Sequence, residues 1–164
     1  MKIPFKVDLS EKVVAVTGGA GVMMSDFCRA LAECGAKVAV INRTKATAEA
    51  LATEIGENAI GISADCTKKE DIFAAKKIIN EKWGKVNFLI NGAGGNNPKA
   101  TTDNETMTPE TKVNKDFFGI EEDGFKFVFD VNLTSAFLCT QVFAEDMLET
   151  GGNIINISSM NAYR

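Results

Sequence analysis

The chain has no histidine. This removes the side chain whose ordinary pKa lies nearest neutrality, and with it imidazole general bases and every metal site that needs a His ligand. Tyrosine and tryptophan occur once each, the tyrosine being Tyr163, next to the C-terminal Arg164. The four cysteines, Cys28, Cys34, Cys66 and Cys139, form no C-x-x-C pair and read as buried thiols of a reducing compartment. No uncharged apolar run reaches membrane-spanning length, so no spanning helix and no membrane partner are expected. The N-terminal MKIPFKVDLSEK lacks the apolar core of a signal peptide, and a cytoplasmic protein is the simplest expectation. Positive charge is not in excess. The 18 basic residues are scattered singly among 22 acidic ones, for a formal net charge of -4, which argues against a nucleic-acid partner. What remains is an ordinary globular composition, 45% apolar and 24% charged over 164 residues, enough for one domain with a substantial core.

The organising stretch is Lys12 to Met24, KVVAVTGGAGVMM. A β-branched run, Val13 to Val16, meets a glycine-rich turn, and Phe27, Ala30, Leu31 and Cys34 then recur at helical spacing. Strand, glycine turn and helix N-terminus together make an anion site, usually for a dinucleotide pyrophosphate. The alternative is a plain strand–turn–helix with glycines used for packing. The spacing departs from G-x-G-x-x-G: the cluster is Gly18, Gly19 and Gly21, and no glycine stands where the helix would pack tightly on the sheet.

Further segments alternate in period. Strands are expected at Val38–Ile41, Ala59–Ala64, Val86–Ile90 and Asn153–Ile157. Helices are expected at about Val22–Cys34, from Thr44 or Thr47 to near Gly56, from Thr67 to Trp83, and over Asp130–Thr150. This pattern predicts an α/β fold, a Rossmann-type doubly wound parallel sheet with helices on both faces. Residues 96–126 break the alternation. The segment 101–126 holds seven acidic and three basic side chains and reads as a substrate-side loop or a surface excursion. Its dense Phe residues are expected to pack on the sheet edge or a partner chain. The chain stops seven residues after Ile157, which reads as a dinucleotide-binding domain over 1–164, truncated after its fifth strand.

Ligands of such sheets bind outside the strands' C-terminal ends. Here those ends are Thr17-Gly18, Asn42-Arg43, Asp65-Cys66, Asn91-Gly92-Ala93-Gly94 and Ser158-Ser159, and each is polar or glycine-rich. The candidate cofactor contacts are Thr17, Gly18, Gly19, Gly21, Val22, Met23, Asn42, Arg43, Asp65, Cys66, Asn91, Ala93 and Gly94. Asn42 stands where an acidic residue would accept from the ribose hydroxyls, and Arg43 can pair with a 2'-phosphate. NADP is therefore expected over NAD, with both kept as candidates. Asp65 either accepts from the adenine amino group or caps the next helix. No metal is expected.

The arrangement resembles the short-chain dehydrogenase/reductase family over nearly the whole chain outside the 96–126 loop. Thr17-Gly18 begins the family's glycine motif. Asp65 is similar to its adenine-contacting aspartate. The N-A-G triplet falls on Asn91, Ala93 and Gly94, with Gly92 as an extra, variable place. By this resemblance Asn132, in V-N-L-T, is the catalytic asparagine and Ser159 the catalytic serine. T-G-G-x-G-V at Thr17–Val22, GGNNPKATT, F-D-V-N-L-T and NIINISSMNAYR narrow the resemblance to the D-mannonate oxidoreductase (fructuronate reductase) branch, with gluconate 5-dehydrogenases as neighbours.

The resemblance implies hydride transfer between a nicotinamide and a sugar acid. Ser159 would bond the carbonyl oxygen, Asn132 would hold a proton-relay water, and Lys99, Ser159 and Asn161 are the candidate substrate contacts. The family's proton-donating tyrosine and its lysine four residues on are absent from this chain, and Tyr163 stands too early to be that tyrosine. The residues alone are therefore expected to be inactive. The complete protein is expected to be a homo-oligomer, dimer or tetramer. A non-catalytic nucleotide-binding module, or an epimerase or dehydratase on the same scaffold, are the alternatives.

Overall fold

A computed structural model describes residues 7–104, 106, 108 and 116–159; Pro4, Asn161 and Tyr163 lie outside them. Strand β1 (Val13–Thr17) is buried at all five positions. β2 (Lys37–Asn42), β3 (Ala59–Ser63), β4 (Phe88–Asn91) and β5 (Asn153–Asn156) complete a parallel sheet of order β3-β2-β1-β4-β5. β1 is therefore paired on both edges, Val16 opposite Val40 on one side and Ile90 on the other.

The period-2 alternation of β1 divides the core between two faces. Val14 and Val16 join Val38, Val40 and Ile90 under α1 (Val22–Glu33) and α2 (Lys45–Ile55). Val13 and Ala15 join Ile41, Ile62 and Leu89 under α3 (Lys69–Trp83) and α5 (Ser135–Met147). Both faces of the sheet are thus covered, as the alternating sequence requires. Gly35, Gly56 and Gly84 end the first three helices with positive φ, where a side chain would be strained.

Several expectations need correction. The buried side of α1 is Met24 and Cys28, while Phe27 is 40% exposed. Of the expected stripe Leu31 packs on the core, but its centre lies to one side of the buried face, because the sheet selects its own side of a helix that is apolar over a wide arc. The last helix also begins earlier than Asp130. α4 (Glu122–Phe129) runs through one π-helical turn, Asp130–Thr134, into α5. Its buried side is Cys139, Val142, Phe143 and Met147, whereas Phe137 and Leu148 face outward. The expected loop is accordingly shorter, and it contains short 3-10 turns at Pro98–Ala100 and Phe117–Gly119. Phe117, Phe118, Phe125, Phe127 and Phe129 are all exposed to at least 38%, so they do not pack on the sheet edge. Finally, the continuous helix Glu122–Met147 has 26 residues, and its most apolar 18-residue window has a mean hydropathy of 1.4 with 22% of it buried. Length and composition alone admit a span by this helix, a test that core helices of globular proteins also pass. Here it packs on α3 and the sheet, with Ser135 and Asp146 among its buried positions.

Candidate active site

The C-terminal ends of β1 and β4 are tied together by one hydroxyl. Thr17 is 1% exposed, and its Oγ1 accepts from the Gly92 and Ala93 N–H groups at 3.1 Å each. It donates to the Ile90 carbonyl at 3.5 Å. Gly18 follows at φ +63°, and a Cβ there would lie 2.8 Å from the Gly92 oxygen, so only glycine lets the two turns approach this closely. Gly21 is the N-cap of α1. No side chain caps the helix and no acidic residue lies in its first turn, while Val22 is 96% and Met23 52% exposed. Uncapped N–H groups at an open, positive helix end fit a pyrophosphate.

Two cavities flank the β4 turn. The first, of about 320 Å³, is lined by Gly18, Asn42, Arg43, Asp65, Cys66 and the Ala93–Asn96 turn. The Asn42 amide donates to Thr47 Oγ1 at 2.8 Å, which leaves its carbonyl oxygen as a hydrogen-bond acceptor. The Asp65 Oδ1 accepts from the Thr67 N–H at 3.0 Å and the Thr67 hydroxyl at 2.7 Å. The Thr67 bonds hold the carboxyl below the usual carboxylate range, helped by the Lys68 and Arg43 charges and opposed by partial burial. Asp65 therefore both organises the entry to α3 and lines the cavity. Cys66 shares a hydrogen bond with Cys139 that lowers its pKa and raises that of Cys139, while burial pushes Cys28 up to about 12.

The second cavity, of about 380 Å³, shares Ala93 and Gly94 with the first and adds Asn91, Asn132, Asn156 and Ser159. Asn91 is 4% exposed; its amide donates to Asn156 Oδ1 at 2.8 Å and Thr140 Oγ1 at 3.1 Å. Asn132 lies in the π turn and grips Gly95 from both sides. Its Oδ1 accepts from the Gly95 N–H at 3.1 Å, and its Nδ2 donates to the Gly95 carbonyl at 2.7 Å and to Val128 at 2.8 Å. An extra residue in a helix re-aims side chains locally, and such turns gather at functional sites.

The structure thus brings Gly18, Asn42, Arg43, Asp65, Cys66, Ala93 and Gly94 to one cavity, and Asn91, Asn132 and Ser159 to the adjoining one. Lys99 stands apart, its Nζ 2.9 Å from both Glu121 and Asp123. Met24 and Gly92 were missed as contributors. Their signal was the fingerprint's missing third glycine beside an extra glycine in the N-A-G segment.

A doubly wound parallel sheet with a glycine-lined turn and two cavities meeting at its switch point is a Rossmann-like α/β fold with its open side where such sheets hold ligands. The sequence pattern of the family described as short chain dehydrogenase matches residues 12–164, and the chain belongs to that family. An uncharacterized oxidoreductase of Bacillus subtilis, UxuB, is 43% identical over 98% of this chain and 59% of its own length. An uncharacterized oxidoreductase of Haemophilus influenzae is 40% identical over 99% of the chain and 59% of its own length. Among solved structures, one from Haemophilus influenzae, provisionally named a D-mannonate oxidoreductase and carrying NAD, superposes with a TM-score of 0.91. It is 40% identical, over 96% of this chain and 58% of that one. A 3-ketoacyl-(acyl-carrier-protein) reductase of Brucella melitensis with NADH gives a TM-score of 0.69 and 29% identity, over 85% of this chain and 51% of its own. The chain spans a little under three fifths of the length of the first two relatives.

Proposed function

We propose that these residues form the dinucleotide-binding part of a cytoplasmic NAD(P)-dependent oxidoreductase acting on a sugar acid of the fructuronate/mannonate class. The observation that carries the reading is the pair of cavities meeting at Ala93–Gly94. One side offers groups for a nucleotide. The other offers a serine hydroxyl and an asparagine held against the shared turn. The solved relative with NAD supports the cofactor class, and its provisional name supports the substrate class.

In this reading the turn Gly18–Gly21 and the N-terminus of α1 hold the pyrophosphate. The Asn42 carbonyl accepts from a ribose hydroxyl, Arg43 is positioned to meet a 2'-phosphate, and Asp65 and Cys66 border the adenine end. The bound nicotinamide supplies or takes up a hydride. Ser159 donates a hydrogen bond to the substrate carbonyl oxygen as negative charge develops there. Asn132, by fixing Gly95, keeps the wall between the two cavities in place. Proton delivery falls to a tyrosine outside these residues. Lys99 meets a substrate carboxylate only by exchanging one of its two acidic partners. The four cysteines, all free thiols, suit a reducing cytoplasm.

The test uses the full-length protein. Loss of NADH and NADPH absorbance is followed with fructuronate, with 5-ketogluconate and with a simple aliphatic ketone. Fructuronate is expected to be the fastest, and Ser159→Ala to lower kcat by about 100-fold or more with little change in cofactor affinity. Tight cofactor binding with no turnover of any carbonyl would replace this reading by that of a nucleotide-binding module.

A further inference from the structure

We infer that Met24 and Gly92 form a reciprocal size pair that holds the two turns of the pyrophosphate cradle at their working separation, which makes Met24 a positioning residue for the dinucleotide. The inference rests on the nucleotide-binding reading above and deepens it.

Met24 sits in the first turn of α1 beside Val22 and Met23, both well exposed, yet it is itself only 3% exposed. Its side chain fills the space directly over the β4 turn. A Cβ added at Gly92 would lie 2.3 Å from the Met24 Sδ and 2.5 Å from its Cγ. The same Cβ would lie 2.9 Å from the Thr17 carbonyl oxygen, which is backbone and cannot swing away. The dinucleotide fingerprint usually solves this packing with a glycine on the helix. Here the large residue is on the helix and the glycine on the facing turn, so volume is exchanged between them. An unbranched thioether suits such a gap.

The consequence reaches the anion site through short links. The Gly92 and Ala93 N–H groups are held by Thr17 Oγ1, and Gly18 faces the Gly92 carbonyl with no room for a methyl group. A displacement of Gly92 therefore moves the backbone that borders the pyrophosphate. The adenine end, at Asp65 and Cys66, is built on β3 and lies outside this linkage.

The experiment compares wild type, Met24→Ala, Gly92→Ala and the double variant of the full-length protein. Calorimetry gives the affinities for ADP-ribose, which carries the pyrophosphate, and for AMP, which carries the adenine end with a single phosphate. Each single variant is expected to weaken ADP-ribose by about tenfold while AMP changes by less than about threefold. The double variant should bind ADP-ribose better than the product of the single losses predicts, because the new methyl enters the space the thioether vacates. Rescue is partial, since the Thr17 carbonyl must still shift. Met24→Leu, which restores volume, should bind within about threefold of wild type. Additive losses in the double variant, or equal weakening of AMP and ADP-ribose, overturn the inference while leaving the nucleotide-binding reading intact. If Gly92→Ala fails to fold, Met24→Ala and Met24→Leu decide by the same AMP comparison. A wild-type protein that binds neither nucleotide overturns the functional reading itself.

Discussion

Asn132 shows how much one carboxamide can hold. Its nitrogen faces two carbonyl oxygens, those of Gly95 and Val128, and its oxygen faces the Gly95 N–H. Asn132→Asp keeps the shape but sets a carboxylate oxygen against two carbonyls. It is therefore expected to be worse than Asn132→Ala, with a lower melting temperature and a larger fall in kcat; equal effects in melts and turnover would show that the donor to Gly95 is unimportant. Arg43 gives a cleaner readout. Arg43→Ala should weaken NADPH by about 10- to 100-fold, the loss of one charge-assisted contact, and leave NADH nearly unchanged in fluorescence titrations. At this scale much was legible. Asn42, Arg43, Asp65, Asn91 and Ser159 each stand at, or within three residues of, the C-terminal end of a strand, and a strand's end fixes where its next residues lie. Met24 was only half legible: the missing third glycine marks its position, but its partner is a turn distant in sequence that meets it only in the folded chain.

The joint between α3, α5 and the loop before β4 depends on Asp146, which is 5% exposed. One carboxylate oxygen accepts from the Val86 N–H at 3.0 Å, and the other lies 3.1 Å from the Lys76 ammonium. Asp146→Ala strands the buried Val86 N–H and removes one of three partners of the largely buried Lys76 ammonium, which keeps the Glu145 carboxylate at 3.0 Å and the Val142 carbonyl at 2.8 Å. It should cost about 1–3 kcal/mol in urea unfolding, whereas Lys76→Met, which keeps the stem and removes the charge, should cost less than Asp146→Ala. Entry to α3 gives a pH signature. The Asp65 carboxyl is depressed by its Thr67 bonds, so its contribution is present above the ordinary carboxylate pKa and lost as pH falls through the depressed value. Acid unfolding followed by circular dichroism below about pH 4 should therefore be steeper in wild type than in Asp65→Asn. Helix existence could be read from sequence, but helix phase could not. In α1 and α5 the apolar arc is wider than the side the sheet accepts, so periodicity alone does not choose between Phe27 and Cys28, or between Phe137 and Cys139.

The wide arc of the last helix has its own meaning for the whole molecule. Phe125, Phe129, Leu133 and Phe137 recur every four residues through the π turn and are 48–62% exposed, with the Phe125 and Phe129 rings 4.6 Å apart. An exposed apolar ridge of this length is a candidate contact surface for the homo-oligomer expected of the complete protein. Leu133→Glu with Phe137→Glu in the full-length protein should shift size-exclusion elution from oligomer towards monomer while the circular dichroism spectrum is kept. An unchanged elution volume would remove the ridge from the interface. The parallel topology was legible from the four alternations of period, because right-handed crossovers leave few other arrangements. The ridge was legible only as a density of Phe residues, since its phase on the helix depends on which side the sheet accepts.

The central place of β1 also sets an order in time. β1 can pair with β2 soon after both leave the ribosome, but the donors to its Thr17 hydroxyl are Gly92 and Ala93, and Gly92 lies 75 residues later. At about 5–20 residues per second, several seconds of synthesis separate the two halves of the cradle. For that interval one edge of the most buried strand in the molecule has no partner. A nascent chain halted before β4 should offer that edge to holdase chaperones and should lose the affinity once Asn91 has emerged.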